Sequence, residues 1–215
     1  MNLKPYYEEP GIQIFLGDCH DILPLLPSVD LALTDPPYGV GKDDWDAASC
    51  EWIVPLLLPR VRTLLITPGI KNMFCYPPPV WVMSYCLPCA SKRGAGSGIN
   101  LWEPVLVYGK ACFSTDCRMF RPRRSVVVFG HTTPKPLDPW VWLVAESSSV
   151  NQTVLDPFMG SGTTLVAAKQ LGRRSIGIEI DEKYCQVAVD RIRRTRAPLV
   201  TEAKKYKHKN LVNPV

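Results

Sequence analysis

Long hydrophobic runs are missing from this chain: no uninterrupted apolar stretch approaches the roughly 18 residues of a membrane-crossing helix. Nor does the N-terminus show a basic-then-apolar signal pattern, so the expected location is cytoplasmic, with no membrane partner. No internal repeat is visible, which sets solenoids and arrays aside. Positive charge is scarce at the start, where residues 1–59 hold 2 basic and 10 acidic side chains, a net −8. The rest compensates: residues 60–135 carry 11 basic and 2 acidic residues, and residues 191–215 carry 8 and 1, leaving the whole chain at +5. Such blocks are either solvated faces or surfaces for a polyanion. With 46% hydrophobic and 21% charged residues over 215 positions, the chain suits one globular domain with a modest insertion.

The 8 cysteines form no obvious framework. Cys86-x-x-Cys89 and Cys112-x4-Cys117 match a four-thiolate zinc site in ligand count. Pro88 inside the first pair and the loose second spacing argue against it, and no metal is expected. Cys19, Cys50, Cys75 and Cys185 read as small buried residues in a reducing compartment.

What is present is more telling. Asp35-Pro36-Pro37-Tyr38 follows Val29–Thr34, an apolar run with the composition of a buried strand. The prolines end the strand, and lacking amide hydrogens they leave carbonyls for a site. An exocyclic amine on a nucleobase is planar, conjugated and weakly nucleophilic. A carboxylate and a carbonyl accepting its two hydrogens would draw the lone pair out of conjugation, while a tyrosine ring stacks on the base. A second motif comes late: Asp156-Pro157-Phe158-Met159-Gly160-Ser161-Gly162-Thr163-Thr164 lies between a strand-like Thr153–Leu155 and a helical run to Leu171 that Gly172 can end. Strand, glycine turn and helix start make a cradle for a nucleotide-like ligand. No lysine follows Gly162, which excludes a phosphate-binding P-loop, and the dinucleotide pattern is incomplete. Glu179 closes the next strand, Ser175–Ile180, about 20 residues on, where a carboxylate meets ribose hydroxyls in such folds.

The remaining pattern reads as one open α/β sheet. Strands are expected at Ile12–Leu16, Thr63–Ile66, Trp102–Tyr108 and Val126–Phe129. Helices are expected at Asp21–Leu26, near Glu51–Leu58, from Pro136 to about Glu146 with Trp140 and Trp142 as packing residues, and from Tyr184 to about Arg194 with Asp181 as N-cap. Periodicity weakens between Tyr76 and Gly130. The loop holding Asp43, Asp44, Trp45 and Asp46 is expected to be a mobile active-site loop rather than a cation site, and residues 201–215 a loose basic tail.

Taken together, Leu16-Gly17-Asp18-Cys19, Asp35–Gly39, His131-Thr132-Thr133-Pro134-Lys135-Pro136, Asp156–Thr164 and Ile176–Glu179 closely resemble the amino-methylating DNA methyltransferases of the N6-adenine/N4-cytosine family. The resemblance is to the beta group, in which the catalytic motif precedes the cofactor motif, and it covers nearly the whole chain. It implies a Rossmann-like S-adenosylmethionine-dependent methyltransferase sheet with circularly permuted motif order: one domain over residues 1–200 with a small target-recognition insertion at about 76–130. The implied catalytic residues are Asp35, Pro36, Pro37 and Tyr38. Implied cofactor contacts are Asp18, Cys19, Asp35, His131, Thr133, Lys135, Asp156, Phe158, Gly160, Ser161, Gly162, Thr163, Glu179 and Ile180. Thr132 stands where the family usually has proline. The basic middle block falls where the family recognises its target, so Lys92, Arg93, Arg118, Arg121, Arg123 and Arg124 are the expected DNA contacts, with Phe120 nearby for base contact. The implied reaction is methyl transfer from S-adenosylmethionine to adenine N6 in DNA, the base being flipped from a duplex or presented single-stranded. Cytosine N4 is the alternative target, and a non-catalytic DNA-binding subunit the alternative class. No cysteine is placed for covalent ring-carbon methylation. The insertion is short, so a short or relaxed recognition site is expected, aided by a homodimer; a place in restriction-modification is compatible but not specified.

Overall fold

The structure is a computed structural model that describes residues 3–39, 50–87, 92–93, 99–110, 113–121 and 135–196, with the backbone alone at 92–93 and 99–100. The sequence expectations for the loop with Asp43, Asp44 and Asp46, for Cys89, Cys112, Arg123, Arg124, Val126–Phe129, His131, Thr133 and the 201–215 tail lie outside the described residues. In chain order the elements are β1 (Tyr7–Glu9), β2 (Ile12–Leu16), α1 (Cys19–Ile22), a 3-10 turn (Leu23–Leu25), β3 (Val29–Thr34), α2 (Ile53–Leu57), β4 (Val61–Ile66), α3 (Gly69–Asn72) and β5 (Trp81–Cys86). There follow β6 (Lys92–Arg93), β7 (Ile99–Asn100), β8 (Trp102–Gly109), β9 (Cys117–Met119), α4 (Leu137–Ser147), β10 (Thr153–Asp156), α5 (Thr163–Gln170), β11 (Arg174–Glu179) and α6 (Glu182–Arg194).

Nine strands form one sheet in the order β1-β2-β11-β10-β3-β4-β8-β5-β9, and β6 and β7 make a separate two-stranded ribbon. The run β2-β11-β10-β3-β4 is parallel, so five carboxyl ends share one edge of the sheet. Of these, β10 comes late in the chain but pairs with early β3, aligning Val154 with Leu31 and Leu155 with Ala32. The two sequence motifs therefore emerge side by side, at the place where open α/β sheets bind ligands. β8 alone runs against these strands: it pairs antiparallel with β4 on one side and with β5 on the other, and β9 runs parallel to β5. Consequently β9 points its carboxyl end the same way as β3.

Two apolar layers sandwich the sheet. One packs α1 and α2 on Ala32, Leu64, Leu106 and Ile178. The other packs α4 and α5 on Leu31, Leu33, Leu65 and Val107. Alternation along β3 and β8 assigns successive side chains to opposite layers, as the two-residue repeat of a strand requires. Trp140 and Trp142 are buried in the second layer as expected, with the Trp140 indole donating to Thr164 Oγ1 at 3.1 Å.

Several expectations need correction. The helix expected over Asp21–Leu26 splits into α1 and the 3-10 turn, because Pro24 cannot supply the amide an α-helix needs there. A short antiparallel strand, β1, and the strand β5 were not anticipated. The Cys75 side chain is exposed, on the turn after α3, whereas Cys19, Cys50 and Cys185 are buried as expected. Phe120, half-buried, tilts against Trp142 at 5.9 Å between ring centres and packs against this core layer. Among the described residues no helix is long and apolar enough to cross a membrane.

Candidate functional site

Each parallel strand delivers a polar residue just past its carboxyl end: Asp18 after β2, Asp35 after β3, Thr67 after β4, Asp156 at the end of β10 and Glu179 at the end of β11. Asp156 is 3% exposed and locks the two motifs together. Its Oδ1 accepts from Thr34 Oγ1 at 2.8 Å and from the Phe158 amide at 3.1 Å, and its Oδ2 accepts from Thr164 Oγ1 at 2.5 Å. Burial pushes its carboxyl up to about 7, against a smaller opposing effect of those hydrogen bonds. Asp156 thus lies beneath the cradle, tying β3 to the glycine turn.

Above it, Gly160 and Gly162 take left-handed conformations with φ of 49° and 76°. A Cβ on Gly162 would lie 2.8 Å from the Ala188 Cβ, so close packing of α5 on α6 also requires glycine there. The Glu179 carboxylate braces the turn, accepting from the Gly160 amide at 2.8 Å, the Ile180 amide at 2.9 Å and the Asp181 amide at 3.0 Å. Burial raises its pKa, while these amides pull the other way. Ser161 and Thr163 are buried, and sequence reasoning missed why: Arg191 on α6 donates to Ser161 O at 2.5 Å, Ser161 Oγ at 2.9 Å and Thr163 Oγ1 at 3.1 Å. Asp18 caps α1 through the His20 amide at 2.8 Å, and the Cys19 thiol, buried and beside Asp18, is pushed up to about 12. Nearby, the His20 ring stacks on Trp52 at 3.9 Å, and Trp52 meets Phe158 edge-on at 6.1 Å. Neither His20 nor Trp52 carried a local sequence signal.

The other half of the site centres on Asp35. Its Oδ1 accepts from the Tyr38 hydroxyl at 2.6 Å and from Thr67 Oγ1 at 2.6 Å, and it pairs with Lys135 Nζ at 2.7 Å. Lys135 also donates to the Tyr38 hydroxyl at 2.7 Å. Burial first, and the Asp35 carboxylate second, hold Tyr38 well above its ordinary pKa, so the hydroxyl remains a proton donor. Asn72 on α3 donates to the Tyr38 carbonyl at 2.6 Å, fixing the turn from behind. Of the residues expected around the cofactor, Lys135 therefore contacts the Asp35 cluster. Thr67 and Asn72 went unnoticed in the sequence; only a position just past a strand's carboxyl end could have flagged Thr67.

The basic residues lie farther out. Arg118 sits on β9 with its guanidinium 5.5 Å from the Phe120 ring centre, and exposed Arg121 follows. β9 is four strands from β3, roughly 19 Å at about 4.8 Å per strand. Lys92 and Arg93 form β6. Of the four cysteines weighed as a zinc set, Cys86 on β5 and Cys117 on the neighbouring β9 are free thiols, and burial first and Cys117 second raise the Cys86 pKa.

The sequence model of the DNA methylase family matches residues 77–190. The Type II methyltransferase M2.LlaDCHI of Lactococcus lactis subsp. cremoris is 42% identical over 88% of this chain and 92% of its own. The Type II methyltransferase M.ScaI of Streptomyces caespitosus is 27% identical over 88% of this chain and 84% of its own. Among solved structures, the M1.HpyAVI complex with SAM superposes with a TM-score of 0.68 at 23% identity, over 84% of this chain and 98% of that one. PvuII DNA methyltransferase, which is cytosine-N4-specific, gives 0.69 at 14% identity over 97% and 95%. The sheet is accordingly the Rossmann-like methyltransferase fold. With the family model spanning more than half of the chain and a near-full-length relative at 42% identity, this chain belongs to the N6-adenine/N4-cytosine DNA methylase family.

Proposed function

We propose that the protein transfers a methyl group from S-adenosylmethionine to the exocyclic N6 of adenine in DNA. The observation that carries this reading is the pairing of β3 with β10, which sets the Asp35 cluster beside the glycine cradle. The residues present suit the cofactor chemically. Asp18 and Glu179 offer carboxylates for a base edge and a vicinal diol, Phe158 offers a ring, and the turn at Gly160 and Gly162 offers backbone to a close-lying ligand. Cys19, Ser161, Thr163, Ile180, His131 and Thr133 complete the proposed surroundings, while Asp156 supports them from below. When bound, the cofactor supplies a methyl group already activated on a positive sulfur.

The protein's own task is positioning and exclusion of water. Asp35, with the carbonyls of Pro36 and Pro37, accepts hydrogens from the target amine and turns its lone pair outward; the proton leaves during or after transfer. Tyr38 supports the base face. The target lies inside a duplex, so the base is rotated out or met single-stranded. Arg118 and Arg121, with Lys92, Arg93, Arg123 and Arg124, are proposed to hold phosphates in a recognition segment at about 76–130 of a single methyltransferase domain. The directions of β5 and β9 support this, since Arg118 and Arg121 leave the sheet at the same edge as Asp35. The Type II methyltransferases among the relatives support a place in restriction-modification. Adenine is preferred over cytosine N4 because the resemblance implies it: in this family a tetrapeptide beginning with Asp, as at Asp35, is commoner for adenine and one beginning with Ser for cytosine. Nucleoside mass spectrometry of DNA treated with enzyme and labelled cofactor tests the reading: N6-methyladenine supports it, N4-methylcytosine replaces it with the alternative target, and no modified base points to a non-catalytic DNA-binding subunit.

A further inference from the structure

The Asp35 cluster contains an amine that does not belong to a base. Lys135 Nζ is 2.7 Å from Asp35 Oδ1 and 5.0 Å from the centre of the Tyr38 ring. A nitrogen donating to this carboxylate beside this ring is also what the methylation reading requires of the target amine. Both cannot be held on that oxygen, because Oδ1 already accepts from Tyr38, Thr67 and Lys135, more donors than its two lone pairs serve well. The contact between Lys135 and the Tyr38 hydroxyl further pins the ring against the cluster.

We propose that Lys135 is an internal stand-in for the target amino group: without a base its ammonium fills the position on Asp35 Oδ1 beside the Tyr38 ring, and a base whose amine takes that position displaces it. This rests on the amine-methylating reading above. The arrangement has two consequences. It keeps the Asp35 carboxylate, inside a partly closed site, from standing without a cation when DNA is absent. It also sets a threshold for bases, since only one presenting a hydrogen-bond donor to Asp35 replaces what leaves with Lys135. A base presenting a carbonyl there places oxygen against carboxylate and leaves the lysine in command. Lys135 is in this sense a specificity-determining residue acting by competition. Its side chain is 24% exposed and that of Asp35 23%, so solvent screens the pair in part and the competition is modest, about 3- to 10-fold in apparent affinity.

Two measurements test this. In the free protein, an amine-acylating reagent read by peptide mass spectrometry should modify Lys135 several-fold more slowly than exposed Lys183, and Asp35→Asn should remove that protection. Equal labelling of Lys135 and Lys183 in the wild type would overturn the proposal. This readout needs neither DNA nor turnover, so it stands apart from failure of the methylation reading, which would show as absence of modified nucleosides. In steady state on unmethylated genomic DNA, Lys135→Met should lower KM for DNA about 3- to 10-fold with a smaller change in kcat, while Lys135→Arg, which keeps a cation for Asp35, should lower KM less than Lys135→Met. A KM that is unchanged or raised in Lys135→Met would also overturn it.

Discussion

Replacing Asp156 by asparagine isolates the electrostatic side of the clamp between the two motifs. Asp156 is 3% exposed, and burial lifts its carboxyl from an ordinary 3.8 to about 7. The folded state therefore binds a proton that the unfolded state releases between those values, so stability from this group is present at low pH and falls as pH rises toward 7. Between pH 5 and 8 the loss amounts to about 2–3 kcal/mol. Asparagine is neutral throughout. Its oxygen can accept from Thr34 Oγ1 and the Phe158 amide, and its amide nitrogen can donate to Thr164 Oγ1, where the Asp156 oxygen now accepts. Urea unfolding of wild type and Asp156→Asn at several pH values from 5 to 8 gives the two stabilities. Effects common to both, including the raised Glu179, cancel in the difference. Wild type should lose about 2–3 kcal/mol relative to the variant across this range. A difference that stays flat from pH 5 to 8 would refute the burial argument.

Three further predictions concern the site itself. Tyr38→Phe loses a hydroxyl that donates to Asp35 and accepts from Lys135 yet keeps its ring, so kcat should fall about 3- to 10-fold, against about 100-fold or more for Tyr38→Ala; equal losses would remove the ring's role as a base support. Glu179→Ala leaves the amides of Gly160, Ile180 and Asp181 without their acceptor and the proposed diol without a carboxylate, so calorimetry should show cofactor Kd raised on the order of 10- to 100-fold, and unchanged binding would sink the assignment. Gly162→Ala meets both a φ of 76° and the Ala188 Cβ at 2.8 Å, so urea unfolding should show roughly 2–3 kcal/mol of destabilisation; a loss below about 0.5 kcal/mol would contradict the packing argument.

How far the sequence could be read depended on whether the cause of each feature was local. β2 and β3 were legible to the residue, because apolar runs ended by Gly17 and by Pro36 mark both their type and their length. The Asp181 cap of α6 and the stop at Gly172, with φ of 70°, were equally legible because capping acts within one turn. β5 was not: it sits beside the sheet edge with Trp81 and Val82 exposed and Met83 and Tyr85 buried, so half-exposed apolar residues after three prolines obscure the strand alternation. The site divided in the same way. Asp35, Tyr38 and the glycine turn announce themselves through short motifs, but the Lys135–Asp35 pair spans 100 positions and Arg191 reaches the turn from 30 residues away. Such contacts come from strand order and helix docking, for which a single sequence carries no periodic signal. Asp156 shows the converse, since its motif was legible but its burial beneath the cradle was not.

The central claim is that the Asp35 cluster and the glycine cradle together methylate an amino group of adenine. Its most direct measurement is mass spectrometry of nucleosides from unmethylated DNA incubated with the wild-type protein and S-adenosylmethionine carrying a labelled methyl group, alongside Asp35→Ala. The account predicts labelled N6-methyladenine from the wild type and a loss of at least about 100-fold from the variant. Label incorporated equally by both proteins, or found in no DNA nucleoside, would contradict it.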